Sequence, residues 1–299
     1  MSTMDRATKG VLATVQRACS LPVRYGVTPN RMRARLQQMA QLLARRDSIG
    51  TVTATASTIL RHPEIARDLR AFDVAIHGFH HRAYAGKAAQ DQAGDLDSAR
   101  RVFERFGLEY RGFRAPYLSE DSATVRLLRE RRFLYDSSTP HYVLPLQASR
   151  RDMWDLARLR YSNLQHGPSQ VRCVDGLAAI PVSMPDDEIL IDGLGVRSTL
   201  SLTKVFAEMM DACQATAGHL VIQVHPERVG FCAEALANLV DRAVDADAWI
   251  APLVDIARWS LESRSAHSPW PEAHSFALSV TGDLDAAALS DFARRIWGA

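Results

Sequence analysis

Two histidines, His77 and His81, are separated by three residues in the sequence His-Gly-Phe-His-His. Two imidazoles from one short stretch can bind the same metal ion, and with a carboxylate they form a ligand set that suits zinc or a similar divalent ion. Such a site leaves positions open for water and substrate, and the ion lets a water lose its proton near neutral pH. The pair therefore indicates metal-dependent hydrolysis, provided that the chain supplies a carboxylate.

The elements that must position these histidines alternate between strands and helices for most of the chain. Strands are predicted at residues 21–26, 49–55, 72–76, 109–114, 133–136, 177–182, 219–224, 249–251 and 276–281. Helices are predicted at residues 31–46, 88–106, 121–131, 202–217, 234–244 and 286–297. The segment 140–175 is predicted to be an irregular insertion near the site.

Repeated strand–helix units favour a parallel sheet in an α/β fold, and this many units favour a closed or nearly closed barrel. The placement of four polar residues agrees with this architecture. His77, Arg114, Asp136 and His225 each stand at the C-terminal end of a predicted strand. In a parallel α/β barrel these ends share one rim, where active sites are built.

In this order, the motifs resemble those of the polysaccharide deacetylase family, carbohydrate esterases with a NodB-type domain. The segment His77–His81 matches the family's metal motif, Arg114-Ala-Pro-Tyr117 matches its Arg-x-Pro-Tyr motif, and Val221–His225 matches a late strand that ends in a catalytic histidine. The match spans roughly residues 20–260. The resemblance implies a distorted barrel of seven or eight parallel strands and the deacetylation of an N-acetylated sugar.

The chain departs from the family at the first motif, where a pair of aspartates is expected to supply the base and a metal ligand. Arg24 and Tyr25 occupy that position here. The C-terminal sequence Leu278–Asp285 resembles the missing motif, because an apolar strand leads into Asp283 and Asp285, which project to the same face if the strand continues. We expect this C-terminal strand to complete the site; a turn with a helix N-cap is the alternative explanation.

On this hypothesis, His77, His81 and Asp285 bind the divalent ion, and these ligand types predict zinc. Asp283 takes the proton of water as general base, although the spacing leaves open that Asp283 and Asp285 exchange roles.

The remaining roles follow from the resemblance and from elementary electrostatics. Arg114 keeps the base ionised, because a neighbouring positive charge lowers the pKa of an acid. The backbone N–H of Tyr117 stabilises the oxyanion, and a charged His225 protonates the leaving amine. Asp136 and Asp186 are expected to support the site or to contact substrate.

Composition is typical of one globular domain of 299 residues with 47% hydrophobic residues. We divide it into a main barrel (20–262), a linker (263–275) and a terminal strand–helix unit (276–299). A net charge of +2 gives no electrostatic reason to expect nucleic acid as a partner. The N-terminus lacks the apolar core of a signal peptide, and no apolar run could span a bilayer, so we expect a cytoplasmic protein that acts on a small molecule or saccharide.

Two alternative functions remain open at this level. The chain could hydrolyse another non-peptide C–N bond, in a cyclic amide or a small N-acyl metabolite, or it could be an inactive homologue that binds without a metal.

Overall fold

A computed structural model of the chain describes residue 21, residues 23–263 and residues 269–297, with side chains in the last helix only as far as residue 294. The outer limits of the single-domain assignment and part of the expected linker lie outside the described residues.

The described strands are β1 (Thr51–Ala54), β2 (Asp73–Ile76), β3 (Gly112–Phe113), β4 (Tyr135–Asp136), β5 (Pro140–Tyr142), β6 (Gln165–His166), β7 (Arg172–Val174), β8 (Leu177–Ala179), β9 (Val182–Met184), β10 (His219–Val224), β11 (Ala248–Ile250) and β12 (Phe276–Leu284). The described α-helices are α1 (Asn30–Ala44), α2 (Ala56–Arg61), α3 (Ile65–Leu69), α4 (Ala89–Arg105), α5 (Ser122–Glu130), α6 (Arg151–Arg160), α7 (Thr199–Gln214), α8 (Val229–Asp245), α9 (Leu253–Glu262) and α10 (Leu289–Trp297). Short 3-10 turns lie at Pro116–Leu118, Ala148–Arg150, Pro226–Arg228 and Pro271–Ala273, and a π-helical turn lies at Glu188–Gly193.

The strands form a mostly parallel, curled sheet, which confirms the predicted α/β fold class. The main sheet has the order β10-β12-β1-β2-β3-β4-β8-β7, with β11 also paired to β12, and only the β7–β8 pair is antiparallel. A second, three-stranded sheet has the order β6-β5-β9. Within the described residues no backbone ladder joins the two sheets, and the backbone N–H of Val221 instead donates to Ser183 Oγ at 3.0 Å.

The C-terminal strand β12 lies inside the main sheet, between β10 and β1. It pairs in parallel with both neighbours, so that Val280 lies opposite Ile222 of β10 and Asp283 lies opposite Thr53 of β1. All nine residues of β12 are buried. The strand extends three residues beyond its predicted end, and helix α10 therefore begins at Leu289, later than predicted.

The prediction of a strand at residues 21–26 is wrong, because residues 23–25 are helical. Tertiary contacts outweigh the local strand preference there: Arg24 forms an ion pair with Asp192 at 2.6 Å, and Tyr25 Oη donates to Glu227 at 3.0 Å. The place beside β1 that such a strand would take is occupied by β12.

The prediction of an irregular segment at 140–175 is also wrong, since it contains β5, β6, β7 and α6. The first of these strands, β5, has a partner far away in sequence, as Pro140 pairs with Val182 and Tyr142 with Met184. Pairing over such a distance leaves no local pattern from which the strands could be predicted.

Helices pack against the sheet through apolar residues at helical spacing. In α1, for example, Met32, Leu36, Met39 and Leu43 are all buried, as their spacing of three to four residues predicts. No helix in the described ranges is both long and apolar enough to cross a membrane.

Candidate metal centre and active site

The two motif histidines and a C-terminal aspartate form a cluster suited to a metal ion. His77, His81 and Asp285 each offer one ligand atom, and these atoms lie within 4.8 Å of one another. One carboxylate oxygen of Asp285 lies 3.3 Å from His77 Nε2, and the other lies 3.2 Å from His81 Nε2. The cluster is a two-histidine, one-carboxylate set, which is chemically suited to zinc and similar ions.

Three neighbouring strands bring these residues together. Strand β1 lies between β2 and β12, with Ala54 opposite Ile76 on one side and Leu284 on the other. His77 and Asp285 directly follow those two residues, so both leave the sheet at its C-terminal edge. Their backbones are two strands apart, a distance of about 10 Å. The side chains of His77 and Asp285 point toward each other and span this distance.

The hydrogen bonding of His77 favours a cation in the cluster. Its Nδ1 lies 2.7 Å from the carbonyl oxygen of Arg114. A carbonyl can only accept, so Nδ1 carries the hydrogen and Nε2 is the ring atom that faces Asp285, at 3.3 Å. A metal-binding histidine typically donates its other ring N–H to a backbone carbonyl in this way, which leaves the facing nitrogen for the ion. These residues therefore fit a divalent ion.

The loop that carries the histidines is held by helix α4. Asp95 Oδ2 accepts from the backbone N–H of Phe79 at 2.8 Å and from Tyr84 Oη at 2.6 Å. Gly78 has a φ of +75°, and a Cβ there would come within 3.1 Å of the carbonyl oxygen of His80. The glycine between His77 and Phe79 thus allows the backbone to turn while the first histidine stays in line with its strand.

Asp283 is a buried carboxylate, 2% exposed, beside the metal cluster. Its Oδ1 accepts from Arg114 Nη1 at 2.6 Å and from Thr53 Oγ1 at 2.9 Å, and its Oδ2 accepts from Gln223 Nε2 at 2.9 Å. The same Oδ2 lies 4.0 Å from His77 Nε2. Burial alone would raise the pKa of Asp283, but the surrounding positive charges, that of Arg114 foremost, together outweigh it and lower the pKa below its ordinary value.

Arg114 is completely buried and held on all sides. Its Nε and Nη2 donate to the carbonyl oxygen and the Oγ of Ser137, each at 2.9 Å. Its Nη1 donates to Thr281 Oγ1 at 3.0 Å as well as to Asp283. These hydrogen bonds fix the orientation of the guanidinium beside Asp283.

Tyr117 lies over the metal cluster and remains half exposed, at 52%. Its ring makes an edge-to-face contact with His81, with centroids 4.3 Å apart. Tyr117 and Leu118 both have positive φ angles, 61° and 51°. Non-glycine residues adopt such angles at a cost in backbone strain, and strained residues cluster at functional sites.

His225 follows β10 and is oriented by a carboxylate that was not predicted, Asp187. The two oxygens of Asp187 accept from the backbone N–H and from Nδ1 of His225, each at 2.7 Å. Burial alone would lower the pKa of His225, but the charge of Asp187 and its hydrogen bond raise it to about 10. His225 is therefore an imidazolium at neutral pH, with Nε2–H as its second donor.

The turn after β10 is anchored by a buried ion network. Arg228 Nη2 lies 2.7 Å from Asp192, and Arg228 Nη1 lies 2.8 Å from Glu227. Arg24 reaches the same Asp192 carboxylate at 2.6 Å. Burial alone would raise the pKa of Asp192, but the two arginines lower it instead. The network ties the His225 turn to the π-helical turn that follows Asp187.

Asp186 contacts protein atoms and has only 1% exposure. Its carboxylate accepts from Tyr161 Oη at 2.7 Å and from the backbone N–H of Ile189 at 2.8 Å. These contacts place Asp186 in the turn that carries Asp187, which agrees with the supporting role that was one of the two expected for it.

Asp136 acts on the site through a serine. Its Oδ1 accepts from Ser138 Oγ, which in turn accepts from the backbone N–H of Ala115 at 2.8 Å. A second carboxyl group, Glu120, lies beside Asp136, and burial together with the charge of Asp136 raises the pKa of Glu120 to about 11. Asp136 thus supports the segment after Arg114, whereas Ser137 holds the guanidinium itself.

Two residues of the site, Gln223 and Thr53, were missed in the sequence, and Asp187 was missed as the partner of His225. Two weak signals point to them. Asp187 belongs to an Asp-Asp pair directly after a predicted strand, and Gln223 is a polar residue within the apolar run Leu220–Val224. Thr53 carries no comparable signal, since threonine is common in strands.

The sequence profile of the polysaccharide deacetylase family matches residues 26–134. This match confirms the resemblance over the part of the chain that contains His77, His81, Arg114 and Tyr117. It ends before His225 and the two C-terminal aspartates. No curated protein matches the chain.

Solved structures share the fold over most of the chain. A protein of Mycobacterium smegmatis assigned to the polysaccharide deacetylases is 24% identical and has a TM-score of 0.60. The alignment covers 75% of this chain and 76% of that protein. A protein of Pseudomonas aeruginosa PAO1 with the same assignment is 20% identical and has a TM-score of 0.58. The alignment covers 78% of this chain and 74% of that protein. PuuE allantoinase is 19% identical over 78% of this chain and 74% of its own, with a TM-score of 0.57. At these identities, the likeness shows the fold.

Proposed function

We propose that this chain, whose residues 26–134 match the polysaccharide deacetylase family, is a metal-dependent hydrolase that removes an acetyl group from the nitrogen of an N-acetylated saccharide. The observation that carries the proposal is the position of Asp285 beside both motif histidines, at 3.3 and 3.2 Å. His77, His81 and Asp285 would hold the ion, and zinc suits this ligand set.

A divalent ion bound there would polarise the amide carbonyl and make water more acidic. Asp283 is the base that takes the proton as water adds to the carbonyl carbon. Its carboxylate is ready for this step, because Arg114 at 2.6 Å keeps it ionised. A lowered pKa also makes Asp283 a weak base in isolation, so its proximity to the reacting water must provide much of the advantage.

The leaving nitrogen needs a proton before the C–N bond breaks, and His225 supplies it from Nε2. Asp187 keeps this ring charged through the hydrogen bond to Nδ1 at 2.7 Å. The bond between carbonyl carbon and nitrogen then breaks, and the products are acetate and a free amine. The backbone N–H of Tyr117 is assigned to the carbonyl oxygen, where negative charge develops.

A second candidate is hydrolysis of a cyclic amide. The fold shared with PuuE allantoinase favours it, because that protein is named for opening such a ring. The same residue roles apply, since a ring amide also needs a base for water and an acid for nitrogen.

The test is an assay of acetate release from N-acetylglucosamine oligosaccharides by the full chain, stripped of metal and reloaded with zinc. We expect zinc-dependent release that is lost in Asp285→Asn and kept in Asp241→Asn, a surface aspartate 52% exposed. Ring opening of allantoin without acetate release would favour the second candidate. A folded chain that binds less than about one equivalent of zinc and hydrolyses neither compound would contradict both.

A further inference from the structure

A cavity of about 390 Å³ lies on the segment between β5 and α6, outside the candidate active site. This volume is within the usual range for small-molecule sites, roughly 300–1,000 Å³. The polar and aromatic residues that line it are Tyr142, Gln147, Arg150, Arg151, Trp154, Asp155 and Arg158.

Two buried donors in this lining have no acceptor among the described residues: the Oη of Tyr142 and the Nη1 of Arg150. Tyr142 as a whole has 0% exposure, so its hydroxyl cannot rely on bulk water. Leaving a buried donor without an acceptor destabilises the folded chain. The guanidinium can only donate, so a ligand that satisfies it must accept, and the phenol O–H can donate to the same ligand.

The charges around the cavity favour an anion. Three arginines line it against a single acid, Asp155. Arg151 and Asp155 lie 3.5 Å apart, but they are 78% and 56% exposed, so their pairing is weak and leaves the guanidinium available. Arg150 has one partner outside the lining, Glu208, and the guanidinium of Arg158 lies 5.7 Å from the ring of Trp154.

The ring of Trp154 adds an aromatic wall, which packs edge to face on Tyr142 with centroids 5.1 Å apart. Helix α6 begins at Arg151 with no side chain capping its N-terminus, so its first N–H groups add to the positive potential. An oxyanion carried on a sugar ring matches this combination of donors, positive charge and aromatic surface.

The cavity lies at the same edge of the fold as the candidate metal centre. Tyr142 is the last residue of β5, and it pairs with Met184, the last residue of β9. Three residues after Met184 comes Asp187, which contacts His225. Strands β5 and β9 are parallel neighbours, about 5 Å apart, so the cavity opens near the strand that leads into the active site.

We infer that this cavity binds the oxyanion, phosphate or carboxylate, of a charged saccharide whose acetylated part reaches the metal centre. Anion binding does not depend on the proposed function; only the placement of the acetylated part at the metal centre rests on it. Anion binding in the cavity can be measured without any catalysis.

The experiment is calorimetric titration of the full chain with inorganic phosphate, with glucuronate, and with N-acetylglucosamine with and without a 6-phosphate. Wild type should bind one of the two simple anions, and the tighter one identifies the source of the oxyanion. The phosphorylated sugar should bind more tightly than the neutral one if that source is phosphate. Tyr142→Phe and Arg151→Gln should each weaken anion binding about tenfold, the expected effect of losing one hydrogen bond to a charged group.

Arg126→Gln is the matched control. Arg126 and Glu130 form an exposed pair with the same four-residue spacing on α5, at 3.8 Å, so the same charge is removed away from the cavity. Tyr142→Phe removes no hydrogen bond within the described residues, and folding should be unaffected.

Absence of anion binding in wild type would overturn the inference, and so would equal weakening in the control variant. Failure of the deacetylation assay with these titrations intact would instead reject the proposed function and leave the anion site standing.

Discussion

Thr53 and Asp283 lie directly opposite each other in the parallel strands β1 and β12, and Thr53 Oγ1 donates to Asp283 Oδ1 at 2.9 Å across 230 residues of sequence. This register places Asp285 beside the end of β1 and therefore beside His77, which follows the next strand. One residue of slippage would turn Asp283 and Asp285 away from the histidines, because side chains alternate between the two faces of a sheet. The pairing of β1 with β12 thus decides whether the metal cluster can form.

The two C-terminal aspartates should differ in their effect on metal binding. Asp285→Asn removes an oxygen ligand and should weaken zinc binding by more than the roughly 10–100-fold typical of an outer partner. Asp283→Asn should leave most zinc affinity intact while lowering kcat by about 10²–10⁴-fold, the usual contribution of a general base. Zinc affinity by competition with a chelator and kcat for acetate release measure the two effects. Equal loss of zinc in both variants would contradict the assigned roles.

The Arg114–Asp283 pair should show strong coupling in stability. Arg114→Met leaves a buried carboxylate without its cation and should destabilise the fold by about 3–5 kcal/mol. Adding Asp283→Asn should recover part of that loss, because an amide carries no charge to leave unpaired. Urea unfolding of the two single variants and the double variant gives the coupling energy. Additive effects would mean that the two side chains contribute independently.

Acid should also weaken this pair. The pKa of Asp283 is lower in the folded chain than its ordinary value of 3.8. Its contribution to stability is therefore fully present above about pH 4 and is lost as the pH falls through the folded pKa. Unfolding followed between pH 5 and pH 2 should show a smaller loss of stability in Asp283→Asn than in wild type. An identical acid dependence in both would contradict the lowered pKa.

The pH dependence of kcat should report the pair of His225 and Asp187. His225 acts as an acid, so activity falls as pH rises through its pKa, which Asp187 raises to about 10. Asp187→Asn removes that charge, and the alkaline limb of the kcat profile should move to lower pH. Asp241→Asn is the control, because this aspartate is 52% exposed and pairs with Arg46 instead. If the limb stays in place in Asp187→Asn, another group must protonate the amine.

Residues tied to local patterns were predictable from sequence, and residues that depend on distant pairing were not. The strand before His225 was predicted with its observed bounds, His219–Val224, because a buried parallel strand is a continuous apolar run. The interaction of Asp187 with His225 could not be predicted, since it depends on how β9 approaches β10 across 38 residues. The strand prediction for residues 21–26 was wrong for a related reason, because Arg24 and Tyr25 contact segments that are distant in sequence.

Because β12 lies beside β1 in the sheet, we expect the chain to tolerate a new connection that places β12 before β1 in sequence. Helix α10 returns to the start of the described chain, where the N–H of Leu289 donates to the carbonyl of Gly26 at 2.8 Å and the ring of Phe292 lies 5.1 Å from that of Tyr25. From Phe292 to the end of α10 is only about 8 Å of helix. A flexible linker of about eight residues, which spans roughly 15 Å, could therefore join the end of α10 to residue 21.

We expect a circular permutant built with this linker to fold and bind zinc. The permutant begins at residue 269, continues through α10 and the linker to residue 21, and ends at residue 263. In this permutant β12 precedes β1 in the chain, and every strand pairing of the main sheet is preserved. The unlinked chain that ends at residue 263 lacks β12, a fully buried strand between β10 and β1, and should not fold cooperatively. Circular dichroism with thermal unfolding, together with zinc binding, distinguishes the permutant from the truncated chain. A truncated chain that stays folded and active would show that Asp283 and Asp285 are dispensable and would reject the site proposed for them.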